Sequence, residues 1–367
     1  RIAPAVAKAA MDSGVATRPI ADLEAYAEKL TEFVYKTSLF MRPVFNQARK
    51  DIKRIVLTEG EDERVLHAAQ QVVSQKLAFP ILVGDAKLIE ERLHSQGLTI
   101  QPGKDFELID IKNSPYYEAS WKEYYNLRKR SGVTEEMARR RLKANTTLVG
   151  ALLVRLGHAD GLVCGTMGRF HDHFAVMEEV IGYNNPEKEA FAMNALISNK
   201  GNFFIADTYI NENPTAEQLA NGTLMCAAEM KRIGLKPKVA LVSNTNYGSN
   251  RNPDANKMQQ ALELIRELDP ALEIDGEMQA DVALDEEMRK SIFPETTLSG
   301  AANLLVMPNV EAANISYNLL RVNATNGITV GPILMGLNKP VQIVTPISTV
   351  RRIVNMIALA AVDAQRQ

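Results

Sequence analysis

Short apolar runs alternate along this chain with stretches whose apolar residues recur at helical spacing. In one such pair, the run 54–57 precedes the stretch 61–76, where Val65, Leu66 and Ala69 share one predicted helix face. This alternation is typical of βαβ units and predicts an α/β fold with mostly parallel sheets. Further strands are predicted at 81–83, 161–164, 203–206, 239–242, 304–307 and 341–344.

Each of these strands except 81–83 is followed by a loop that we expect to contribute to a binding site. The carboxyl ends of parallel strands lie at the same edge of a sheet, and ligands bind beyond that edge. The sequence therefore predicts one converging site. Its loops begin at Thr58, Gly165, Asp207, Ser243, Pro308 and Thr345.

Composition narrows the class of protein. The 367 residues carry a formal net charge of −2, so no basic excess points to nucleic acid. The two cysteines, Cys164 and Cys226, cannot form a disulfide framework, and no His and Cys spacing indicates a zinc site. No apolar run is as long as a membrane span, and no signal peptide is evident. We expect a cytoplasmic protein. The first residue is Arg1, which suggests a piece of a longer chain.

Two loops are candidate binding elements. The loop 243–250 contains Asn244, Tyr247, Ser249 and Asn250, whose donors suit phosphate oxygens, although an ordinary strand-to-helix loop has the same composition. The loop 165–169 contains glycines that permit close approach of a ligand, which is a weak signal by itself.

Other titratable groups favour structural roles. His171 and His173 are two residues apart and would point in different directions on a helix, so we do not predict a metal site there. Cys164 ends a buried strand and is interpreted as a core residue. A basic cluster is interleaved with glutamates, as on a solvated helix face, but contact with a polyanionic cofactor or another domain is the alternative. The cluster consists of Lys122, Arg128, Lys129, Arg130, Arg139, Arg140, Arg141 and Lys143.

From about residue 40 onward the chain resembles the phosphate acetyltransferase and butyryltransferase family. The motifs that carry the resemblance are at 56–64, 159–165, 213–219, 275–279 and 331–337. The resemblance implies two doubly wound α/β domains with an isocitrate/isopropylmalate dehydrogenase-like phosphotransacetylase fold. It also implies that the second domain is inserted into the first, that a ligand cleft lies between them, and that the protein is a homodimer or a higher homo-oligomer.

The same resemblance exposes departures at the catalytic positions. The family uses a Ser-Arg-Gly run, for charge stabilisation, and an Asp seven residues after the Ser as the base for the thiol proton. The matching positions here are Thr345, Pro346, Ile347 and Arg352. Proline has no side-chain donor, and arginine does not act as a base near neutral pH. The family's loop after Gly165 and its later Arg-Pro are also replaced.

With these departures, the chain resembles the C-terminal domain of the large, hybrid NADP-dependent malic enzymes of bacteria. The similar segments are 344–347, 351–355, 171–174 and 312–321, and residues 1–10 and 14–20 resemble the end of a malic enzyme catalytic domain. The resemblance implies a helical linker over 1–35, a domain I of 36–185 plus 334–367, and a domain II of 186–333. Predicted helices at 2–11 and 21–35 form the linker; helices simply packed on the fold are the alternative.

The resemblance implies a non-catalytic regulatory and oligomerisation domain that binds acetyl-CoA as an allosteric inhibitor. The full chain would be an oxaloacetate-decarboxylating malic enzyme that converts malate to pyruvate and CO2. NADP and Mg or Mn would bind the catalytic domain, and the partners would be that domain and further copies of the chain. The predicted effector-binding residues are Asn244, Tyr247, Ser249, Asn250, Thr345, Ser348, Thr349, Arg169, Arg351, Arg352, Gly165 and Thr166.

Two alternatives remain open at this point. An active phosphate acetyltransferase would make acetyl phosphate and CoA from acetyl-CoA and phosphate. A ligand-free structural oligomerisation domain would bind no acyl-CoA.

Overall fold

A five-stranded sheet, the first sheet, is built from two separate parts of the chain. The computed structural model describes residues 2–18, 20, 22–23, 26, 40–198, 201–250, 252–323 and 328–366. The strand order of the first sheet is β11-β4-β1-β2-β3. All its neighbouring strands are parallel. The strands are β1 (Arg54–Leu57), β2 (Phe79–Val83), β3 (Glu107–Ile109), β4 (Gly161–Cys164) and β11 (Val341–Ile343).

The second sheet has six strands, in the order β10-β5-β6-β9-β7-β8. The pairs β10/β5 and β5/β6 are antiparallel, whereas β6, β9, β7 and β8 run parallel. The strands are β5 (Phe191–Ser198), β6 (Gly201–Ala206), β7 (Lys238–Val242), β8 (Glu273–Met278), β9 (Leu304–Val306) and β10 (Ile328–Met335).

Helices connect and cover these strands. Two 3₁₀ turns, Ile111–Asn113 and Lys129–Ser131, lie beside α5. The helices are α1 (Ile2–Asp12), α2 (described over 40–48), α3 (Glu63–Ser74), α4 (Ala86–Ser95), α5 (Tyr117–Arg128), α6 (Glu135–Ala144), α7 (Thr146–Arg155), α8 (Phe170–Val180), α9 (Ala216–Arg232), α10 (Pro253–Leu268), α11 (Ala280–Leu284), α12 (Glu286–Ile292), α13 (Val310–Asn323) and α14 (Val350–Ala364).

The central strands are apolar without interruption because both faces of each sheet are covered. On β1, Ile55 and Leu57 pack into one hydrophobic cluster, while Val56 packs into another. On β7, Leu241 and Ala240 are likewise divided between two clusters. Such two-sided burial is typical of parallel sheets between helices. The predicted α/β class is confirmed.

The first predicted helix after β1 is slightly shorter than the sequence pattern indicated. The Asp62 side chain accepts the backbone N–H of Arg64, so α3 begins at Glu63 rather than at residue 61. The helix ends before Lys76, whose φ is +56°. The predicted apolar face is buried at Val65 and Leu66, as expected.

Sequence reasoning missed four strands, β3, β5, β8 and β10, for physical reasons. Strand β10 contains Pro332, and its register with β5 shifts between Val330 and Ile333. A proline inside an apolar run argues against a strand. Strand β8 includes the buried acids Asp275 and Glu277, which break an apolar pattern.

The two sheets join where β10 leads into β11. The Gln342 side chain on β11 bonds both backbone groups of Leu334 on β10, at 2.9 Å to its N–H nitrogen and 3.3 Å to its carbonyl oxygen. The first sheet draws strands from 54–164 and 341–343, and the second from 191–335. The domain boundaries themselves remain predictions. Helix α1 matches the predicted helix at 2–11, whereas most of the predicted helix at 21–35 lies outside the described residues.

Candidate functional site

Three loops meet at the carboxyl edge of the first sheet, after β1, β4 and β11. Glu59 lies at their centre, buried, with one carboxylate oxygen 3.1 Å from the backbone nitrogen of Gly165 and 3.5 Å from that of Thr166. Its other oxygen accepts the Thr58 hydroxyl at 2.8 Å. Burial raises the pKa of the Glu59 carboxyl, and nearby His173 opposes this rise. The carboxylate is therefore a fixed anchor of these loops.

His173 supports this anchor from α8. Its Nε2 lies 2.7 Å from the carbonyl oxygen of Met167, which can only accept, so Nε2 carries the proton. Its Nδ1 lies 2.8 Å from the Thr147 hydroxyl oxygen. His171 is exposed instead, and the two rings do not converge. Within the described residues, no group of three or more His, Cys, Asp or Glu side chains forms a metal-binding cluster.

Gly165 permits the close packing of β4 against β11. Its φ is +99°, and a Cβ at this position would lie 2.4 Å from the carbonyl oxygen of Val344. Any side chain would both overlap that backbone and strain φ. The glycine is therefore required for the geometry of the edge, whether or not a ligand approaches it.

Arg64 ties the three loops together from the first turn of α3. Its guanidinium donates to the carbonyl oxygens of Thr166 at 2.9 Å and Ser348 at 3.1 Å, and also to that of Pro346. It forms an ion pair with Asp62 at 2.6 Å. Sequence reasoning did not assign Glu59 or Arg64 to the site. The available signal was that both belong to the motif 56–64, next to the loop expected at Thr58.

The turn after β11 satisfies most of its own polar groups. The N–H of Thr345 donates to the Ser348 hydroxyl oxygen at 3.1 Å, and the N–H of Ser348 donates to the Thr345 carbonyl at 2.8 Å. Both side chains are buried. Thr349 is exposed and caps α14 by accepting the N–H of Arg352 at 3.3 Å. Of the predicted effector-binding residues Thr345, Ser348 and Thr349, only Thr349 therefore presents its side chain to solvent.

The predicted arginines differ in placement. Arg169 is 85% exposed and pairs with Asp172 at 3.0 Å, so it points away from the buried anchor. Arg351 is partly buried, and burial lowers its pKa. Arg352 donates to the Thr329 hydroxyl on β10 and thus links the start of α14 to the second sheet.

The loop after β7 forms a second group of predicted residues. Asn244 and Asn250 line a cavity of 570 Å³ between the loop, α10 and the start of α13. Tyr247 stacks on Phe293 at 4.4 Å between ring centroids, and its hydroxyl lies 3.4 Å from Asp275. Burial and that carboxylate raise the pKa of Tyr247 to about 12. The Ser249 hydroxyl oxygen accepts a backbone N–H within the loop at 3.1 Å.

The two groups belong to different sheets, because the first follows β1, β4 and β11 and the second follows β7. Gly165 and Thr166 donate to Glu59, and the carbonyl oxygens of Thr166 and Ser348 accept from Arg64. Thr345 joins this group through its bonds with Ser348. Asn244 and Asn250 share the second cavity. The stack of Phe170 on Tyr209, at 4.7 Å between ring centroids, spans from α8 to the loop after β6. It connects an element of the first sheet with an element of the second.

Cys164 is fully buried, and burial raises its pKa well above the usual value, so it is a core residue as predicted. Among the basic residues of α5 and α6, Arg128 and Arg141 pair with Glu179 at 3.7 and 3.1 Å, and Arg139 lies 3.8 Å from the centroid of the Trp121 ring. Among the described helices, none is both long and apolar enough to cross a bilayer.

Comparisons with known proteins agree with this fold. The model of the phosphate acetyl/butaryl transferase family matches residues 39–361. The phosphate acetyltransferase of Corynebacterium glutamicum is 32% identical over 331 residues, which cover 89% of this chain and 98% of that protein. A crystal structure of a phosphotransacetylase from Streptococcus pyogenes has a TM-score of 0.81 at 28% identity, covering 89% of this chain and 99% of that one. The predicted phosphotransacetylase fold is confirmed.

The resemblance to malic enzymes is confirmed over the entire chain. The NADP-dependent malic enzyme of Salmonella typhimurium is 56% identical over 365 residues, which cover 100% of this chain and 48% of that enzyme. The chain thus spans about half the length of the malic enzymes it matches. Since the family model covers most of the chain, and a phosphate acetyltransferase matches it over nearly its own full length, the chain belongs to the phosphate acetyl/butaryl transferase family.

Proposed function

We propose that this chain is the non-catalytic, phosphotransacetylase-like regulatory domain of a malic enzyme and that it binds acetyl-CoA as an inhibitor. The observation that carries the proposal is the position of Arg352. Arg352 stands in the first turn of α14, at the position where the family resemblance places the aspartate base. Its guanidinium donates a hydrogen bond to the Thr329 hydroxyl and offers no proton acceptor. A group with the pKa of arginine does not deprotonate a thiol near neutral pH.

Loss of the base leaves the fold able to bind without turnover. The Glu59 and Arg64 bonds hold the carboxyl-edge loops in one arrangement, and the 570 Å³ cavity beside Asn244 remains lined by polar groups. A ligand that prefers one conformation of the domain shifts the conformational equilibrium toward it. A coupling free energy of about 1 to 3 kcal/mol is sufficient for useful inhibition.

The whole protein would use this domain to regulate oxidative decarboxylation of malate to pyruvate. The support is the match to malic enzymes across the entire chain, over about half of their length. In this proposal, NADP and a divalent metal, Mg or Mn, act in the other half, and the protein is cytoplasmic. Acetyl-CoA is a reasonable inhibitor because it is formed from pyruvate, the product of the reaction.

Oligomer formation is the second part of the proposal. Helix α13 exposes Ile315, Leu319 and Val322 at 59%, 60% and 78%, and these positions share one helix face. Exposed apolar stripes of this kind mark association surfaces. We infer that this face packs against a second copy of the chain, in keeping with the homodimer that the family resemblance implies.

Calorimetric titration of the full-length protein with acetyl-CoA, free CoA and acetyl phosphate tests the proposal. Turnover is monitored in the same samples by the release or consumption of free thiol. Saturable acetyl-CoA binding without turnover, together with inhibition of malate oxidation, is expected. Acetyl transfer between CoA and phosphate would establish an active transferase instead, and the absence of any acyl-CoA binding would establish a structural domain.

A further inference from the structure

A cavity of 350 Å³ lies between the last turns of α9, which covers the second sheet, and α14, which covers the first. We propose that the contact of Arg232 on α9 with Asp363 on α14 is a proton-sensitive latch on this junction. The junction closes when Asp363 is protonated and opens when Asp363 is ionised. The latch requires no acyl-CoA, so its test does not depend on the proposed function.

The first observation is that one buried guanidinium faces two carboxylates. The Arg232 side chain is 5% exposed, and its Nε donates to Glu229 on the same helix at 2.5 Å. Its Nη1 lies 3.0 Å from a carboxylate oxygen of Asp363 but forms no hydrogen bond. The link between α9 and α14 is therefore a charge interaction, and its strength depends on the charge of Asp363.

The second observation is that the closed junction favours the neutral form of Asp363. Two carboxylates that share one guanidinium repel each other, and burial disfavours the charged form of an acid. Burial raises the pKa of the Asp363 carboxyl to about 7; Arg232 opposes this rise, Glu229 adds to it, and Arg366 and Gln342 oppose it. In water an aspartate has a pKa of about 3.9. The closed junction therefore binds a proton that an open, hydrated junction releases.

The third observation is a hinge beside the cavity. The chain passes between the two sheets twice, from β4 to β5 and from β10 to β11. The two connections bond each other, since the N–H of Asn184 donates to the carbonyl of Gly336 at 3.0 Å and the N–H of Asn338 donates to that of Gly182 at 3.0 Å. The second connection also places the charged group of Lys339 on the cavity. Two packed units can rotate about a few loop residues of this kind.

The direction of the pH dependence follows from the two pKa values. Raising the pH from about 3.9 to about 7 should favour the open junction by up to about tenfold per pH unit, because one proton is released on opening. Above about pH 7 both forms are ionised, and no further change is expected. Helix α14 carries Asp363 in its last turn and Arg352 in its first, so the latch acts on the helix that also carries predicted effector residues.

Amide hydrogen exchange of the full-length protein, followed by mass spectrometry, tests the latch. Peptides from the last turns of α9 and α14 report the opening of the junction, and peptides from α4, which does not line the cavity, are the reference. Exchange is measured without acyl-CoA between about pH 5 and about pH 8 and is corrected for the intrinsic exchange rate at each pH. In wild type, the corrected exchange at the junction should rise by up to about tenfold per pH unit and level off at about pH 7.

Two variants separate the contributions of the two carboxylates. Asp363→Asn cannot ionise, so corrected exchange at the junction should not depend on pH. Glu229→Gln removes the like charge beside Arg232, so Asp363 should ionise more readily and the rise should level off at a lower pH. The matched control is Glu136→Gln, at an exposed position on α6, which should have the wild-type profile.

The latch is refuted if exchange at the junction of wild type is independent of pH, or if Asp363→Asn keeps the wild-type pH dependence. An equal pH-dependent change in the α4 peptides also refutes it, because the whole domain would then be unfolding. If Asp363→Asn does not fold, Glu229→Gln decides: a profile shifted to lower pH supports the latch, and an unshifted profile refutes it. Absence of acyl-CoA binding would end the proposed function and leave the latch in place.

Discussion

The carboxylate of Glu59 accepts the backbone N–H of Gly165 at 3.1 Å, so a buried acid at the end of β1 holds the loop after β4. This bond joins two neighbouring strands at the edge where ligands of parallel sheets bind. It places a titratable group inside a structural contact, and the stability of the domain should therefore depend on its protonation.

Replacing Glu59 with Gln should change how stability depends on pH. Burial raises the pKa of Glu59 in the folded state above its unfolded value, which is about 4.3. The folded protein then binds a proton that the unfolded chain has released, so this group's contribution to stability falls as pH rises from about 4.3 to the raised folded pKa. The free energy of unfolding in urea should be measured at several pH values for Glu59→Gln and for wild type. The difference between the two proteins should change with pH over this range. A constant difference across pH would contradict the assignment.

Replacing Arg64 with Gln should loosen the three loops that its guanidinium connects. Loss of charged hydrogen bonds to the carbonyls of Thr166 and Ser348 is expected to lower the free energy of unfolding by about 1 to 3 kcal/mol. Denaturant unfolding checks this value. Arg130→Gln, at an exposed position, is the control and should change stability by less than about 0.5 kcal/mol.

Gly165→Ala should be much more harmful than Gly132→Ala. Both glycines have positive φ, at +99° and +84°, but a Cβ at Gly165 would lie 2.4 Å from the Val344 carbonyl oxygen, whereas one at Gly132 meets nothing within 4 Å. Gly132→Ala therefore reports strain in φ alone. Thermal unfolding of both variants should place Gly165→Ala more than about 1 kcal/mol below the control. Equal losses would show that the overlap is relieved by movement of β11.

Arg352→Glu should abolish inhibition by acetyl-CoA in the full-length enzyme while the domain stays folded. The substitution reverses a charge at the junction and also removes the bond to Thr329. Thr329→Val removes the bond but keeps the charge, so it separates the two effects. Malate oxidation measured against acetyl-CoA concentration checks both variants. Loss of inhibition in Thr329→Val to the same extent would reduce Arg352 to a structural role.

Leu319→Lys should shift the protein toward a smaller assembly. Leu319 is the central residue of the exposed α13 stripe, and a buried lysine at an interface is unfavourable. Light scattering after size-exclusion chromatography would measure the change. Lys122→Glu, on the exposed face of α5, is the control for a change of charge elsewhere. An unchanged mass for Leu319→Lys would remove α13 from the proposed interface.

The sequence by itself determined the α/β class and the strands that are buried on both faces, such as β1 and β7. Uninterrupted apolar runs are a strong signal for such strands. It also determined the departure at Pro346 and Arg352, since that depends only on which residue types are present. It did not reveal β10, where Pro332 interrupts the pattern and pairing comes from a distant strand.

Only the tertiary structure decided which side chains meet. Glu59 and Gly165 are 106 positions apart, and Arg64 and Ser348 are 284 apart, so no local pattern encodes their contacts. Likewise, Tyr247 and Ser249 have the composition of a binding loop, yet their side chains bond within their own part of the fold. Local periodicity records burial along one element, whereas a site depends on the directions of side chains from several elements, which packing alone establishes.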